Sequence, residues 1–141
     1  MTEVIVSKSI NVSAKEAWTI LSSFSGIEEF SPIESSETVG YGVGATRTCY
    51  LPDNGGAIYE VLDIVEDEKM EMQYKITEGP FPISGYVSTV KVEETGLGTC
   101  KVTWGCEFEA APEVTGEMVR LFEGFYHTII DSLESMLLNQ N

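Results

Sequence analysis

The fold of this chain is decided by residues Glu113–Leu138, which read EVTGEMVRLFEGFYHTIIDSLESMLL. Apolar residues recur there at steps of three and four, which is the spacing of one face of an α-helix. Pro112 suits the first turn of such a helix, and Glu113 and Glu117 lie near the positive end of its dipole. At about 1.5 Å per residue, the helix is long enough to cross a small domain. The predicted apolar face consists of Met118, Leu121, Phe122, Phe125, Tyr126, Ile129, Ile130, Leu133, Met136 and Leu137.

The chain before this helix consists mainly of predicted strands. The β-branched residues of Glu3–Ile10 favour a first strand, and Ser13 and Glu16 form the capping-box pattern that begins a helix. A second short helix is predicted at Ile27–Phe30. Glycines, prolines and paired acids then separate stretches of alternating hydrophobicity, the pattern of antiparallel strands. The six strands predicted after the short helices are Glu34–Val39, Ala45–Leu51, Ala57–Glu66, Lys69–Thr77, Gly85–Glu93 and Thr99–Glu109.

Together these elements predict an α+β protein with a helix-grip fold. A seven-stranded curved antiparallel sheet is expected to wrap around the long C-terminal helix, with two short helices after the first strand. A length of 141 residues fits a single domain that spans the whole chain, residues 1–141. One helix is too narrow to cover so wide a sheet, so a cavity is expected beside it.

The composition argues against several classes of partner. The chain has 23 acidic and 8 basic residues, a net charge of −15, which disfavours nucleic acid and anionic membranes on electrostatic grounds. Its apolar stretches are too short to span a bilayer, and its first residues lack the basic and apolar regions of a signal peptide. We therefore expect a cytoplasmic protein without stable membrane insertion, present as a monomer or a weak homodimer.

The metal-binding residue types are few and scattered. Cys49, Cys100 and Cys106 lack the spacing of a zinc site or of a disulfide framework. His127 is the single histidine, and it falls opposite the apolar face of the last helix, where it should be exposed. We expect no metal site and no cofactor, and we interpret Cys49 and Cys106 as small buried apolar residues.

Short motifs occur along almost the whole chain in a characteristic order. They are Ser9-Ile10, Ala14–Trp18, Gly42–Arg47, Tyr59–Leu62, Tyr74–Ile76, Gly79–Pro82 and Gly85–Ser88. In order and spacing they resemble the SRPBCC (START/Bet v 1-like) superfamily, and most closely its small polyketide cyclase/dehydrase and lipid-transport-like members. The resemblance implies the same helix-grip fold and a hydrophobic ligand, but the fold alone does not identify that ligand.

A more distant likeness is to the plant abscisic-acid receptors. Those receptors line their cavity with an acid, a tyrosine and a serine at positions that match Glu60, Tyr86 and Ser88. They also use a cavity lysine in a region where this chain has Phe30 or its neighbours. The stretches that match the receptors' gate and latch loops, 51–55 and 78–83, do not keep the receptor sequence closely. A hormone-receptor role is therefore not expected.

Glu60 is the most unusual residue of the predicted inner face. Its side chain falls on the inward side of its strand, where an unpaired acid is costly to bury. If the preceding hairpin turns near Asn54-Gly55, Cys49 faces Glu60, and Arg47 lies diagonally from it within reach of its carboxylate. The two charged residues then form either a buried ion pair that fixes the hairpin or a polar anchor for a ligand.

Tyr86 and Ser88 share the inward face of a later predicted strand. The Tyr86 hydroxyl would either orient a ligand or bond to a backbone carbonyl. The large aromatic residues belong either to the core or to a cavity wall, and the two overlap in this architecture. The candidate ligand-binding residues are Arg47, Glu60, Tyr74, Tyr86, Ser88, Trp104, Phe122 and Tyr126.

Two functions from different classes fit these residues. The first is binding or transport of a small hydrophobic molecule (lipid, aromatic or polyketide-like) in a cavity entered between Pro52–Gly56, Gly79–Ile83 and the start of the last helix. The second is a cofactor-independent cyclase/dehydratase with Glu60, Arg47 and Tyr86 as candidate acid–base and oxyanion groups. A third function, a protein-interaction domain, would require aromatic side chains to fill the cavity. Binding is favoured because no catalytic motif stands out.

Overall fold

The computed structural model describes residues 1–140, in which strands and helices follow the predicted order. The first strand is followed by a helix and a short 3₁₀ helix, then by six strands and a long helix. The elements are β1 (Thr2–Ile10), α1 (Ala14–Ser22), the 3₁₀ helix (Ile27–Phe30), β2 (Ser35–Val39), β3 (Thr46–Tyr50), β4 (Ala57–Glu66), β5 (Glu71–Glu78), β6 (Ser84–Gly96), β7 (Thr99–Glu109) and α2 (Pro112–Leu138).

All seven strands form one antiparallel sheet in the order β1-β7-β6-β5-β4-β3-β2. The first strand therefore pairs with the last, from Thr2 opposite Phe108 to Ile10 opposite Cys100, while the other neighbours are consecutive in the chain. Register shifts interrupt the pairing of β4 with β5, and irregularities of this kind bend a strand and increase its twist. The predicted curved sheet and the helix-grip fold are confirmed.

Helix α2 buries one face along its length, as its apolar periodicity predicts. Leu121 is the exception, because its side chain is 42% exposed although it shares the predicted stripe. His127 is exposed, as expected. Neither α2 nor any other helix within residues 1–140 has the length and hydropathy needed to cross a membrane. The buried residues of α2 are Met118, Phe122, Tyr126, Ile129, Ile130, Leu133 and Leu137.

Helix α1 packs against β6, β7 and α2. Its first turn is capped by Ser13 as predicted, because the Glu16 amide donates to Ser13 Oγ at 3.1 Å. The Glu16 carboxylate accepts from the Ser13 hydroxyl at 3.1 Å, rather than from the Ser13 amide as in a full capping box. The Trp18 indole Nε1 donates to Asp67 Oδ1 at 3.0 Å. This bond fastens α1 to the turn between β4 and β5.

The register of β3 against β4 differs from the predicted one. Arg47, rather than Cys49, lies directly opposite Glu60. The intervening loop turns one residue earlier than expected, at Asp53 and Asn54, which both have positive φ angles of 57° and 58°. Asparagine and aspartate tolerate that left-handed conformation better than most other residues. The pairing therefore shifts by two residues, which leaves every side chain on its predicted face.

Two glycines should respond in opposite ways to the same substitution. A Cβ on Gly105 of β7 would lie 2.8 Å from the Val4 carbonyl oxygen of β1, whereas one on Gly124 of α2 would meet no atom within 4 Å. We expect Gly105→Ala to lower the free energy of unfolding by about 1–3 kcal/mol through overpacking. Gly124→Ala should raise it by up to about 1 kcal/mol, because alanine is the better helix former. Urea denaturation followed by tryptophan fluorescence checks both values, and changes of the same sign would contradict the account.

Candidate ligand cavity

A cavity of about 650 Å³ lies between α2 and the inner face of the sheet. Strands β3 to β6 form one wall, α2 forms the opposite wall, and the 3₁₀ helix with the loops after β3 and β5 completes the enclosure. Its lining is mostly aliphatic and aromatic. The lining residues are Ile27, Pro32, Ile33, Cys49, Leu51, Pro52, Gly55, Ile58, Glu60, Tyr74, Ile76, Phe81, Tyr86, Arg120, Leu121, Phe122, Gly124, Phe125, Tyr126 and Thr128.

The exposed members of this lining mark the mouth of the cavity. They are Pro32, Pro52, Gly55, Arg120, Leu121, Gly124 and Thr128. The mouth therefore lies against the middle of α2 rather than its first turns, where the sequence had suggested an entrance. The loop after β3 abuts the loop after β5, since a Cβ on Gly56 would lie 3.5 Å from Pro80 Cβ.

Arg47 and Glu60 form a buried ion pair at the sheet side of the cavity. Arg47 Nε donates to Glu60 Oε1 at 2.6 Å, and the two side chains are 3% and 8% exposed. Glu60 lines the cavity, whereas Arg47 lies behind it. The Cys49 thiol is 3.9 Å from the same carboxylate oxygen. The pair therefore places one carboxyl group on the wall and holds its counter-ion out of the cavity.

Two aromatic rings pack against the Arg47 guanidinium. Its central carbon lies 3.9 Å from the centroid of the Phe24 ring and 5.1 Å from that of Tyr74, within the range of a cation–π contact. Phe24 itself has a φ of 59°, which is unusual for a bulky residue. Within residues 1–140, Arg47 Nη2 is buried without a hydrogen-bond partner. Packing on these rings, rather than a complete hydrogen-bond network, fixes the guanidinium.

Burial controls the protonation of the polar lining groups. It raises the pKa of the Glu60 carboxyl above its usual range, although the Arg47 charge and hydrogen bond act in the opposite direction. It also raises the pKa of Tyr74 and of the Cys49 thiol, each to about 12, and the pKa of Tyr86 and Tyr126 well above that of a free phenol. The phenols and the thiol therefore stay neutral near pH 7 and serve as hydrogen-bonding groups.

Tyr86 and Tyr126 bring two hydroxyl groups together from opposite walls, β6 and α2. The hydroxyls are hydrogen-bonded to each other, and both side chains line the cavity. The Phe122 ring packs against both, with centroid distances of 5.3 Å to Tyr86 and 6.1 Å to Tyr126. Because one hydroxyl donates and the other accepts, the pair keeps one proton that is not used in the bond between them.

Three of the residues proposed from sequence lie behind the lining. Arg47 pairs with Glu60 from there, and Trp104 donates from Nε1 to the Tyr74 hydroxyl at 3.1 Å. Ser88 donates from Oγ to the Gly105 carbonyl oxygen at 2.8 Å. The five candidates that line the cavity are Glu60, Tyr74, Tyr86, Phe122 and Tyr126.

Several lining residues carry no clear signal in the sequence. Leu51 and Phe81 lie in loops beside prolines, where apolar side chains are the one hint of a buried role. Leu121 belongs to the helical stripe and looks like a core residue. Arg120 lies just outside that stripe, so its place at the mouth depends on how α2 is rotated over the sheet.

Solved structures resemble this chain over almost its full length. The protein XoxI from Bacillus cereus is 28% identical, with a TM-score of 0.88 and coverage of 99% of this chain and 98% of that one. A protein from Bacillus thuringiensis is 27% identical, with a TM-score of 0.86 and coverage of 97% and 99%. Norcoclaurine synthase from Thalictrum flavum, solved with dopamine and hydroxybenzaldehyde, is 19% identical, with a TM-score of 0.78 and coverage of 99% and 88%. This last likeness is one of fold alone.

The sequence also matches a family model. No curated protein matches the chain significantly, but the model of the family described as polyketide cyclase/dehydrase and lipid transport matches residues 1–137. The helix-grip architecture and the Bet v 1-like structural neighbours agree with that match. The chain therefore belongs to the polyketide cyclase/dehydrase and lipid transport family of the SRPBCC superfamily.

Proposed function

We propose that this protein binds and carries a small hydrophobic molecule in the cavity between the sheet and α2. The observation that carries the proposal is the cavity itself, whose volume of about 650 Å³ falls within the range of about 300–1,000 Å³ typical of small-molecule sites. Its lining combines aliphatic and aromatic walls with few polar groups. The ligand that fits is a lipid, an aromatic compound or a polyketide-like molecule.

The polar groups of the wall define what the ligand must carry. The Tyr86–Tyr126 pair retains one hydroxyl proton, which would be donated to a ligand carbonyl or hydroxyl oxygen. Glu60 would accept a hydrogen bond from a ligand hydroxyl. Each such bond contributes about 0.5–1.5 kcal/mol, so burial of apolar ligand surface provides most of the affinity and the anchors orient the ligand. The ligand should therefore carry at least one hydroxyl or carbonyl group.

A second candidate function is a cyclase/dehydratase-type enzyme. The observation that favours it is the Glu60 carboxyl, whose pKa is raised by burial and which lines the same cavity as Tyr86. A carboxyl group with a raised pKa suits general acid–base catalysis. Glu60 would then remove a proton next to a ligand carbonyl, while Tyr86 would donate to the carbonyl oxygen.

Binding without catalysis is the better-supported of the two. Glu60 is the single carboxyl among the lining residues, and it is held by Arg47 at 2.6 Å. The neighbouring phenols and the Cys49 thiol stay protonated, so they supply no second base. An interaction domain with a filled cavity fits less well, because the aromatic side chains leave the space open. In an enzyme, Glu60→Gln would abolish turnover while keeping affinity for the substrate.

A tryptophan at the mouth should block ligand entry. Leu121 borders the cavity and is 42% exposed, whereas Leu138 lies on the same helix, away from the cavity, and is 47% exposed. We expect Leu121→Trp to weaken binding of the neutral fluorophore N-phenyl-1-naphthylamine at least about fivefold, because the larger side chain occupies space that the probe needs. Fluorescence titration of wild type and variant measures the change.

The matched control for this titration is Leu138→Trp. It adds the same indole to the same helix at similar exposure, so it should leave the affinity for N-phenyl-1-naphthylamine within twofold of wild type. If both variants bind the probe as wild type does, the probe does not occupy this cavity. If wild type fails to bind the probe at all, the proposed function loses its main support.

Removing one charge of the buried Arg47–Glu60 pair should lower the free energy of unfolding more than removing both charges. In Arg47→Met the Glu60 carboxylate loses its counter-ion, so we expect the free energy of unfolding at pH 7 to fall by about 3–5 kcal/mol. Adding Glu60→Gln to that variant should recover a substantial part of the loss. Urea denaturation of the wild type, both single variants and the double variant gives the coupling energy. A double variant as unstable as the sum of the two single variants would show that the pair is not coupled.

A further inference from the structure

Arg120 is the one charge on the cavity lining without a counter-ion among residues 1–140. Only Glu60 and Arg120 are charged members of the lining, and Glu60 is already paired with Arg47. Arg120 forms no salt bridge with any acid in the described part of the chain, although the sequence contains 23 acidic residues. With Arg47 behind the wall neutralising Glu60, the unpaired charge of the cavity is positive and lies at the mouth.

The position of Arg120 keeps its guanidinium hydrated and available. Arg120 is exposed beside Leu121 and Gly124, two other residues of the mouth. Its Nη1 lies over Gly116, one helical turn earlier, where a Cβ would stand 3.4 Å from it. A guanidinium presents a planar fork of N–H donors that matches a carboxylate, and at an exposed site neither group pays the full cost of burial.

The interior of the cavity is a poor place for an anion. Glu60 occupies the inner wall, and its carboxylate would repel a second one brought close to it. The rest of the lining is mainly apolar, so an unpaired charge there would cost several kcal/mol. An anionic ligand can therefore lie only one way, with its apolar part inside and its charged group at the mouth.

We propose that the ligand is an amphipathic carboxylate whose apolar chain or ring system fills the cavity and whose carboxylate pairs with Arg120. This proposal deepens the function proposed above and rests on it. The net charge of −15 opposes the approach of any anion, but dispersed surface charges are screened beyond about 8 Å at physiological ionic strength. A direct contact with Arg120 lies well inside that distance, so Arg120 acts as a specificity-determining residue.

Matched compounds that differ in one head group test this proposal. Decanoate, 1-decanol and decylamine share a chain, and 2-naphthoate and 2-naphthol share a ring system, so the two sets distinguish chain-like from ring-like acids. Each compound displaces N-phenyl-1-naphthylamine from wild type, Arg120→Gln and Lys15→Gln. Lys15 is also exposed without a salt bridge among the described residues, but it lies on α1 outside the lining, so Lys15→Gln controls for the change in net charge.

We expect at least one carboxylate to bind wild type and Lys15→Gln about two- to fivefold more tightly than its matched alcohol or phenol, the effect of an exposed ion pair. In Arg120→Gln the ratio of the carboxylate's affinity to that of its matched alcohol or phenol should fall to about one or below. The proposal would be overturned if both neutral compounds, decanol and naphthol, bound wild type as tightly as their matched carboxylates or more tightly. A carboxylate preference that survives in Arg120→Gln would also overturn it. Probe binding that none of the compounds displaces would overturn the ligand class alone, whereas failure of wild type to bind the probe would remove the proposed function as well.

Discussion

A single helix covers only part of the inner face of a seven-stranded sheet, and the rest of the structure depends on that mismatch. Helix α2 packs mainly on β1 and β7 at one edge of the sheet and against the two shorter helices. The 3₁₀ helix and two loops border the space over β3 to β6, and side chains leave about 650 Å³ of that space unfilled. Protein interiors are normally packed with few voids larger than a water molecule. A space of this size, walled by aromatic residues, is what the proposed binding function requires.

The buried ion pair gives this apolar space its polarity. Burying two charges costs free energy that their attraction barely offsets, so the Arg47–Glu60 pair adds little to stability. Its effect is to place the Glu60 acceptor on the wall, while Arg47 lies behind the wall and packs against Phe24 and Tyr74. The phenol pair of Tyr86 and Tyr126 adds a donor where the opposite walls of β6 and α2 meet. The cavity thus combines donor and acceptor inside with a cation at its mouth, an arrangement suited to orienting an amphipathic guest.

The sequence predicts most of this architecture because periodicity reports which face each side chain occupies. A period of 3.6 identifies α2, and a period of two places Glu60 and Tyr86 on the inner face. The predicted β3–β4 register is wrong by two residues, and Arg47 replaces Cys49 as the partner of Glu60. Because side chains alternate between the two faces of a strand, a shift of two residues leaves each side chain on its predicted face. Periodicity does not distinguish a residue that lines a cavity from one just behind it, which is why Trp104 and Tyr74 look alike in sequence. The mouth depends on the rotation of α2 and on loops packed over long range, and local sequence encodes neither.

The central claim is that the space beside α2 holds a small apolar guest with a polar group. The most direct test is a crystal structure of the protein equilibrated with 4-bromophenol, with data collected at the bromine absorption edge. The account predicts an anomalous peak between α2 and β4–β6, with the phenol oxygen within hydrogen-bonding distance of Glu60 or of the Tyr86–Tyr126 pair. The contradicting result is a space closed by side chains, or bromine found only on the outer surface of the protein.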